Sequence, residues 1–256
     1  MQTNTSTGAV AVVTGAAGLI GREIAIERGQ RGYQVVAIDN VSASIDGATM
    51  FEADIADPNV MSSVATRVGE KYGRVDQLVL AAALTARSPG PGLEGALATL
   101  EPQIWRAVID INLTGTLICV QRFRDLLLRS ERPKIVIVGS IQGLVPTTGT
   151  GAYGVSKWSL VGLTRQLAVE LADVGIAVNM VAPGPIAESA ALPLGVGDRS
   201  LPTPMHRFGT PAEVARAIGS IMEPPFDYMT GVVIPLDGGE HLRPRYAPVR
   251  EDKREG

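Results

Sequence analysis

Residues 9–39 read AVAVVTGAAGLIGREIAIERGQRGYQVVAID, from Ala9 to Asp39. Ala9 to Val13 is a short apolar, β-branched run of the kind that forms a buried strand. Thr14 to Gly21 follows, with glycines at 15, 18 and 21, and then a helical segment to about Arg31. Tyr33 to Ile38 is a second strand, ending at Asp39. Strand, glycine turn, helix, strand and acid stand in the order of a dinucleotide-binding unit. Gly15 permits the tight turn. The stretch Gly15, Ala17, Gly18, Leu19, Ile20 and Gly21 then brings backbone against a pyrophosphate at the helix N-terminus, where free N–H groups favour negative charge. Asp39 lies 24 residues after Gly15, close to the ~20 at which a carboxylate holds the adenosine ribose. The plainer alternative is that Asp39 only ends a strand.

Asp39 also bears on cofactor choice. A ribose 2′-phosphate is repelled by a carboxylate, and neither Gly18 nor Asn40 supplies a compensating base. The pattern predicts NAD(H) rather than NADP(H).

The same alternation continues down the chain. Phe51 to Asp57 is expected as a third strand with an acidic turn, placing Asp54 to accept from the adenine amino group and Ile55 to pack on its ring. Pro58 to Tyr72 is a helix with proline in its first turn. Val75 to Ala83 is a fourth strand. Its small residues Ala81, Ala82 and Ala83 either leave room for a flat cofactor or let sheet and helix pack closely. Residues 84–101 are punctuated by Gly and Pro and read as a loop with room for a short helix. Ile104 to Leu128 is a long helical segment. Inside it Asn112 sits among Ile111, Leu113 and Leu117, where a buried amide needs a partner: a bound water or a bent helical turn. Further strands are expected at Ile135–Val138, Ile176–Val181 and Gly231–Leu236, making seven candidates. This order predicts an α/β fold, a single-domain, Rossmann-type doubly wound parallel sheet of about seven strands with helices on both faces. Residues 1–8 are expected to be a flexible N-terminus, 9–240 one dinucleotide-binding catalytic domain, and 241–256 a charged tail. Within the domain, residues 187–208 follow a strand's C-terminal end without clear periodicity, as a substrate lid does.

Composition narrows the partners. The 256 residues carry a formal net charge of −3, which argues against nucleic acid or an anionic membrane. No apolar run approaches the ~18 residues that cross a bilayer, and the polar N-terminus lacks a secretory pattern. A cytoplasmic, reducing location is expected. The single cysteine, Cys119, excludes an internal disulfide and a thiolate-rich metal site. The two histidines, His206 and His241, have no helix-spaced acidic companions, so no metal is expected.

The chemistry lies in residues 139–157, GSIQGLVPTTGTGAYGVSK. Ser140 ends a strand. Tyr153 and Lys157 are four residues apart and share one face of a helix. A free tyrosine, with a pKa of about 10, is a poor base at neutral pH. A lysine cation within roughly 4–6 Å favours the phenolate. Tyr153 then exchanges a proton with a substrate oxygen near neutral pH, while Ser140 donates a hydrogen bond to that oxygen. The arrangement suits a carbonyl/alcohol interconversion.

Taken together, these motifs resemble the short-chain dehydrogenase/reductase family from about Ala9 to Gly239. The resemblance rests on the TGAAGLIG turn, Asp39, Asp54, Asn112, Ser140, the YGVSK segment, Pro183-Gly184-Pro185-Ile186, the TPAEVA helix start and Asp237-Gly238-Gly239. It implies a catalytic set of Asn112, Ser140, Tyr153 and Lys157. Lys157 would bind the nicotinamide ribose, and Asn112 would anchor a water in a proton relay. Pro183, Gly184 and Ile186 would cradle the nicotinamide. It also implies a homo-oligomer, a tetramer or dimer. Three departures stand out. Leu19 occupies the place of the middle glycine of TGxxxGxG, Leu80 to Ala83 replaces NNAG, and Glu188 replaces a threonine that meets the carboxamide.

Around the catalytic set, Ser140, Gln142, Leu144, Tyr153 and Leu192 are the candidate substrate contacts. Leu144, Val145, Leu192, Leu194, Met205 and Phe208 either face an apolar substrate or pack the lid. Arg87 and Arg199 either meet an anion or are solvated. The leading expectation is an NAD(H)-dependent oxidoreductase for a small secondary alcohol or ketone. The alternatives are a nucleotide-sugar epimerase or dehydratase of the same fold, and a catalytically silent NAD-binding sensor.

Overall fold

The computed structural model describes residues 8–85, 95–187 and 203–242. Seven strands form one parallel sheet: β1 (Val10–Thr14), β2 (Gln34–Asp39), β3 (Ala48–Glu52), β4 (Gln77–Leu80), β5 (Lys134–Val138), β6 (Ala177–Pro183) and β7 (Val233–Leu236). Their order is β3-β2-β1-β4-β5-β6-β7. The chain runs outward from β1 to β3, then crosses back to β4 on the other side of β1. That reversal opens a crevice beyond the C-terminal ends of β1 and β4.

The central strands β1, β4, β5 and β6 are buried on both faces, so they read as continuous apolar runs rather than alternating ones, while the edge strands β3 and β7 are only partly buried. Their side chains still alternate in direction. Val12, Val36, Ile38, Leu78, Leu80, Ile135 and Ile137 pack on one face with α2 (Pro58–Tyr72), α4 (Thr116–Leu127) and α5 (Gly151–Ala172). Val13, Val35, Ala37, Val79, Val136 and Val138 pack on the other with α1 (Leu19–Gln30) and α6 (Pro211–Ile221). A further helix, α3 (Pro102–Ile109), precedes α4. Cys119 is buried in the first core, where burial pushes its thiol up to about 12.

Three elements differ from expectation. The third strand lies earlier, at Ala48–Glu52 rather than from Phe51 to Asp57. The acidic turn expected with it follows at Asp54, whose Oδ1 accepts from Ala56 N at 2.9 Å and turns the chain. The fourth strand is shorter than the run Val75 to Ala83. The long helix after 101 is three pieces: α3, a π-helical stretch at Asp110–Gly115 containing Asn112, and α4. The expected lid at 187–208 and the C-terminal tail lie largely outside the described residues.

Sequence reading also missed Arg28. It is fully buried at the far end of α1, bonded to Glu27, to Gln77 Oε1 at 3.1 Å and to Glu223 Oε1 at 2.9 Å. This ties α1, β4 and the end of α6 together.

At the other end of α6, Thr210 and Glu213 form a capping box, with Pro211 in the first turn. Arg207 bonds both oxygens of Glu213, at 2.6 and 2.9 Å. That guanidinium, with the backbone and hydroxyl of Thr210, holds the Glu213 carboxyl down at about 2. A depressed carboxyl pKa stabilises the fold above about pH 4.5 and loses that contribution as pH falls toward 2. Glu213→Gln is therefore expected to lower stability near neutral pH and flatten its fall between those two pH values, measured by urea unfolding across pH.

Candidate active site

At the crevice between β1 and β4 the structure holds a cleft of about 960 Å³. One wall is the glycine turn. Gly15 has φ +68°, and a Cβ there would lie 2.6 Å from the Ala82 backbone, so only glycine fits. Thr14 Oγ1 accepts from the N–H groups of Ala81 and Ala82, at 3.2 and 3.3 Å. Its hydroxyl thus latches the turn to the end of β4, where the expected asparagine pair is missing. Gly18 caps α1, whose first-turn residues Leu19, Ile20 and Gly21 line the cleft. First-turn N–H groups have no partner four residues back and face an incoming anion.

Asp39 stands at the end of β2 and lines the same cleft. Its Oδ2 accepts from Ala17 N at 2.9 Å, fixing the carboxylate against the glycine turn. Ala17, Asn40, Asp54, Ile55, Ala81, Ala82 and Ala83 also border the cleft. At the other end stand Pro183, Gly184 and Ile186, after β6. Among the described lining residues the charged groups are Asp39, Asp54 and Glu240, with no lysine, arginine or histidine. Glu240 was not anticipated from the sequence. It follows the turn at Asp237, whose carboxylate accepts from Gly239 N and His241 N. Glu188 and Leu192 lie outside the described residues, as do Arg87, Leu194 and Arg199.

Ser140 and Tyr153 line the cleft together with Gln142. Ser140 caps a short 3-10 turn, Ile141–Gly143, its Oγ accepting from Gln142 N at 3.1 Å. Because that N–H fills a lone pair, the hydroxyl proton is left to donate outward. Lys157 is buried one turn after Tyr153 on α5. Its Nζ donates to Val138 O at 3.1 Å and lies 5.5 Å from the centre of the Tyr153 ring. Burial pulls the Lys157 ammonium down to about 8. It still carries its charge at neutral pH, close enough to the ring to favour a phenolate. Leu144 does not line the cleft but packs against the core.

Asn112 is fully buried and is absent from the cleft lining. Its Oδ1 accepts from Leu84 N at 2.7 Å, and its Nδ2 donates to Leu84 O and Ser156 Oγ, each at 3.0 Å. Ser156 in turn donates to Tyr153 O at 2.7 Å. The amide thus joins the chain after β4, the π-helical turn and the turn of α5 bearing Tyr153. Of the two options left open by sequence, the bent turn is present.

The chain is similar to known proteins along nearly its whole length. A family model described as enoyl-(acyl carrier protein) reductase matches residues 15–241. The chain belongs to the short-chain dehydrogenase/reductase family. The 3-oxoacyl-[acyl-carrier-protein] reductase of Synechocystis sp. is 32% identical over 246 residues, covering 91% of this chain and 97% of the relative. The ligand-free aldohexose dehydrogenase of Thermoplasma acidophilum superposes with TM-score 0.84 at 26% identity, covering 94% and 97% of the two chains. ElxO with NADP bound superposes with TM-score 0.80 at 25% identity, covering 93% and 100%. This membership makes the chain an oxidoreductase of alcohol and carbonyl groups that uses a nicotinamide dinucleotide.

Replacing Asn112 with Ala leaves the Leu84 backbone groups and Ser156 without their partner. At roughly 1–3 kcal/mol for a buried group left unsatisfied, Asn112→Ala is expected to lower unfolding free energy by about 2–3 kcal/mol, read by chemical denaturation. Turnover should fall with it, because Tyr153 loses its support.

Proposed function

We propose that this protein is an NAD(H)-dependent dehydrogenase or reductase for a small secondary alcohol and its ketone. The observation that carries the reading is the convergence of Ser140 and Tyr153 on the cleft that the glycine turn and Asp39 also line, with the Lys157 cation beneath the phenol.

The cleft fits a dinucleotide. Its volume, its glycine wall at a helix N-terminus and its carboxylate at the end of β2 match the shape and hydrogen-bonding groups of adenosine, pyrophosphate and nicotinamide in sequence. Gly15 to Gly21 would hold the pyrophosphate, and Asp39 the adenosine ribose. Asp54 and Ile55 would meet the adenine, with Ala81 to Ala83 flanking it. Pro183, Gly184 and Ile186 would hold the nicotinamide. Lys157 would hold the nicotinamide ribose. When bound, the nicotinamide accepts or delivers a hydride.

The remaining work falls to the protein's own side chains. Ser140 donates to the substrate oxygen and fixes it. In oxidation, Tyr153 Oη takes the hydroxyl proton as hydride leaves the carbon; in reduction it returns that proton to the forming alkoxide. The Lys157 charge lowers the cost of the phenolate. Asn112, through Ser156, holds the backbone of Tyr153 in place.

The bound cofactor of ElxO is NADP, so the shared fold does not choose between the two dinucleotides. Asp39 does favour one. A carboxylate pinned at the ribose position, in a cleft whose described lining carries no cation, repels a 2′-phosphate. We further propose a homo-oligomeric, soluble assembly. In support, α5 exposes Trp158 and Val169 to solvent at 46% and 75%, and among the described residues no helix is long and apolar enough to cross a membrane.

Tyr153→Phe is expected to lower kcat by about 10²- to 10⁴-fold, the usual worth of general acid–base catalysis, while NADH binding measured by fluorescence stays near the parent value. Unchanged turnover with bound cofactor excludes Tyr153 as the acid/base. Asp39→Ala is expected to lose most of the preference for NAD over NADP in paired kcat/KM assays. A preference that survives the change removes Asp39 from this role.

A further inference from the structure

Past the end of β6, the wall of the cleft is clasped by Gly209. Gly209 N donates to Pro185 O at 3.0 Å, and Gly209 O accepts from Ala187 N at 2.9 Å, so one glycine holds the backbone on both sides of Ile186. Pro185 and Ile186 line the cleft. Gly209 is itself bracketed. On one side Arg207 Nη1 donates to Phe208 O at 2.9 Å, and on the other Glu213 Oε2 accepts from Thr210 N at 2.9 Å. The guanidinium and the carboxylate bond each other twice, which closes a bridge across the glycine. Neither Arg207 nor Glu213 borders the main cleft. Behind Ile186, a cavity of about 100 Å³ reaches Arg207, Gly209 and Glu213. Side-chain packing therefore leaves the wall room to retreat, and the backbone clasp has to fix it.

We propose that Arg207 is a positioning residue for the nicotinamide end of the cofactor: its ion pair with Glu213 fixes Gly209, and Gly209 fixes residues 185–187 against the dinucleotide. The inference rests on the oxidoreductase reading above, in which Pro183, Gly184 and Ile186 hold the nicotinamide, and it adds a residue that acts on them from outside the cleft. The fork of the guanidinium matters. Its two terminal nitrogens share the carboxylate of Glu213 while Nη1 also reaches Phe208 O. A lysine ammonium keeps the charge but is a point donor that does not match this planar set of acceptors. The residues proposed for the adenosine end stand on β1 and β2, which β4 and β5 separate from β6. Loss of Arg207 therefore loosens one end of the cleft and spares the other.

The test measures binding of NADH and of ADP-ribose by calorimetry, together with the fluorescence of bound NADH, on the parent, Arg207→Met, Arg207→Lys and Glu213→Gln, each checked for folding by its urea transition. ADP-ribose carries every part of the cofactor except the nicotinamide. The parent should bind NADH more tightly than ADP-ribose. Arg207→Met should weaken NADH by about tenfold, the worth of a hydrogen bond or two, and leave ADP-ribose within about twofold of the parent. Its bound NADH should emit more like free NADH. Arg207→Lys should recover only part of the loss. Glu213→Gln should weaken NADH selectively as well, and adding it to Arg207→Met should cost nothing more, because the two side chains act through one bridge. If Arg207→Met does not fold, Glu213→Gln carries the same comparison. Unchanged NADH binding, an equal loss for NADH and ADP-ribose, or full recovery in Arg207→Lys overturns the proposal. So does a parent that binds the two ligands equally. Each of these outcomes leaves the oxidoreductase reading in place, because NADH still binds. If the parent binds neither ligand, both readings fall.

Discussion

The hydrogen bonds of one buried amide hold the two halves of the site in register. The half proposed for the cofactor is built on β1, β2 and the end of β4. The half proposed for the chemistry is built on the end of β5 and on α5. Asn112 bonds the backbone of Leu84 on one side and Ser156 on the other. Asn112 does so from within the π-helical stretch Asp110–Gly115, a local widening of the kind often found at functional sites. The free energy of this junction resides in not leaving buried groups unpaired, so it constrains geometry more than it adds stability.

A second constraint is steric. The turn after β1 approaches the end of β4 so closely that no side chain fits at Gly15 against the Ala82 backbone. Thr14 latches the contact. The close approach leaves the N-terminus of α1 facing the crevice, with Asp39 clamped beside it through Ala17 N. Electrostatics follows from the backbone: a helix N-terminus with partial positive charge and a carboxylate fixed beside it, the two groups that the proposed dinucleotide would use. On the chemical side, a nearly dry lysine next to a phenol trades its own hydration for influence over its neighbour. Burial that draws Lys157 down to about 8 also removes the water that would screen it from Tyr153.

Much of this was legible in the chain. Parallel strands buried on both faces leave runs such as residues 10–13 and 135–138, and the glycine turn and the Tyr–Lys pair have spacings set by local geometry. Where sequence failed, a tertiary interaction had overridden a local pattern. The apolar residues of FEADIAD suggest a strand from Phe51 onward, yet β3 ends at Glu52 and the Asp54 side chain accepts from Ala56 N to turn the chain. The segment from Ile104 to Leu128 has one continuous period, yet it is interrupted where Asn112 must reach Leu84. Arg28 has the composition of a surface residue, and only the meeting of Glu27, Gln77 and Glu223 around it explains its burial.

The central claim is geometric: one cleft presents a dinucleotide to Ser140, Tyr153 and Lys157. A crystal structure of the protein with NAD bound tests it most directly. The account predicts Asp39 oxygens roughly 3 Å from the adenosine ribose hydroxyls, the pyrophosphate on the first turn of α1, and the nicotinamide face turned toward the Tyr153 hydroxyl. A dinucleotide seated elsewhere, or one whose nicotinamide points away from Tyr153, would contradict it.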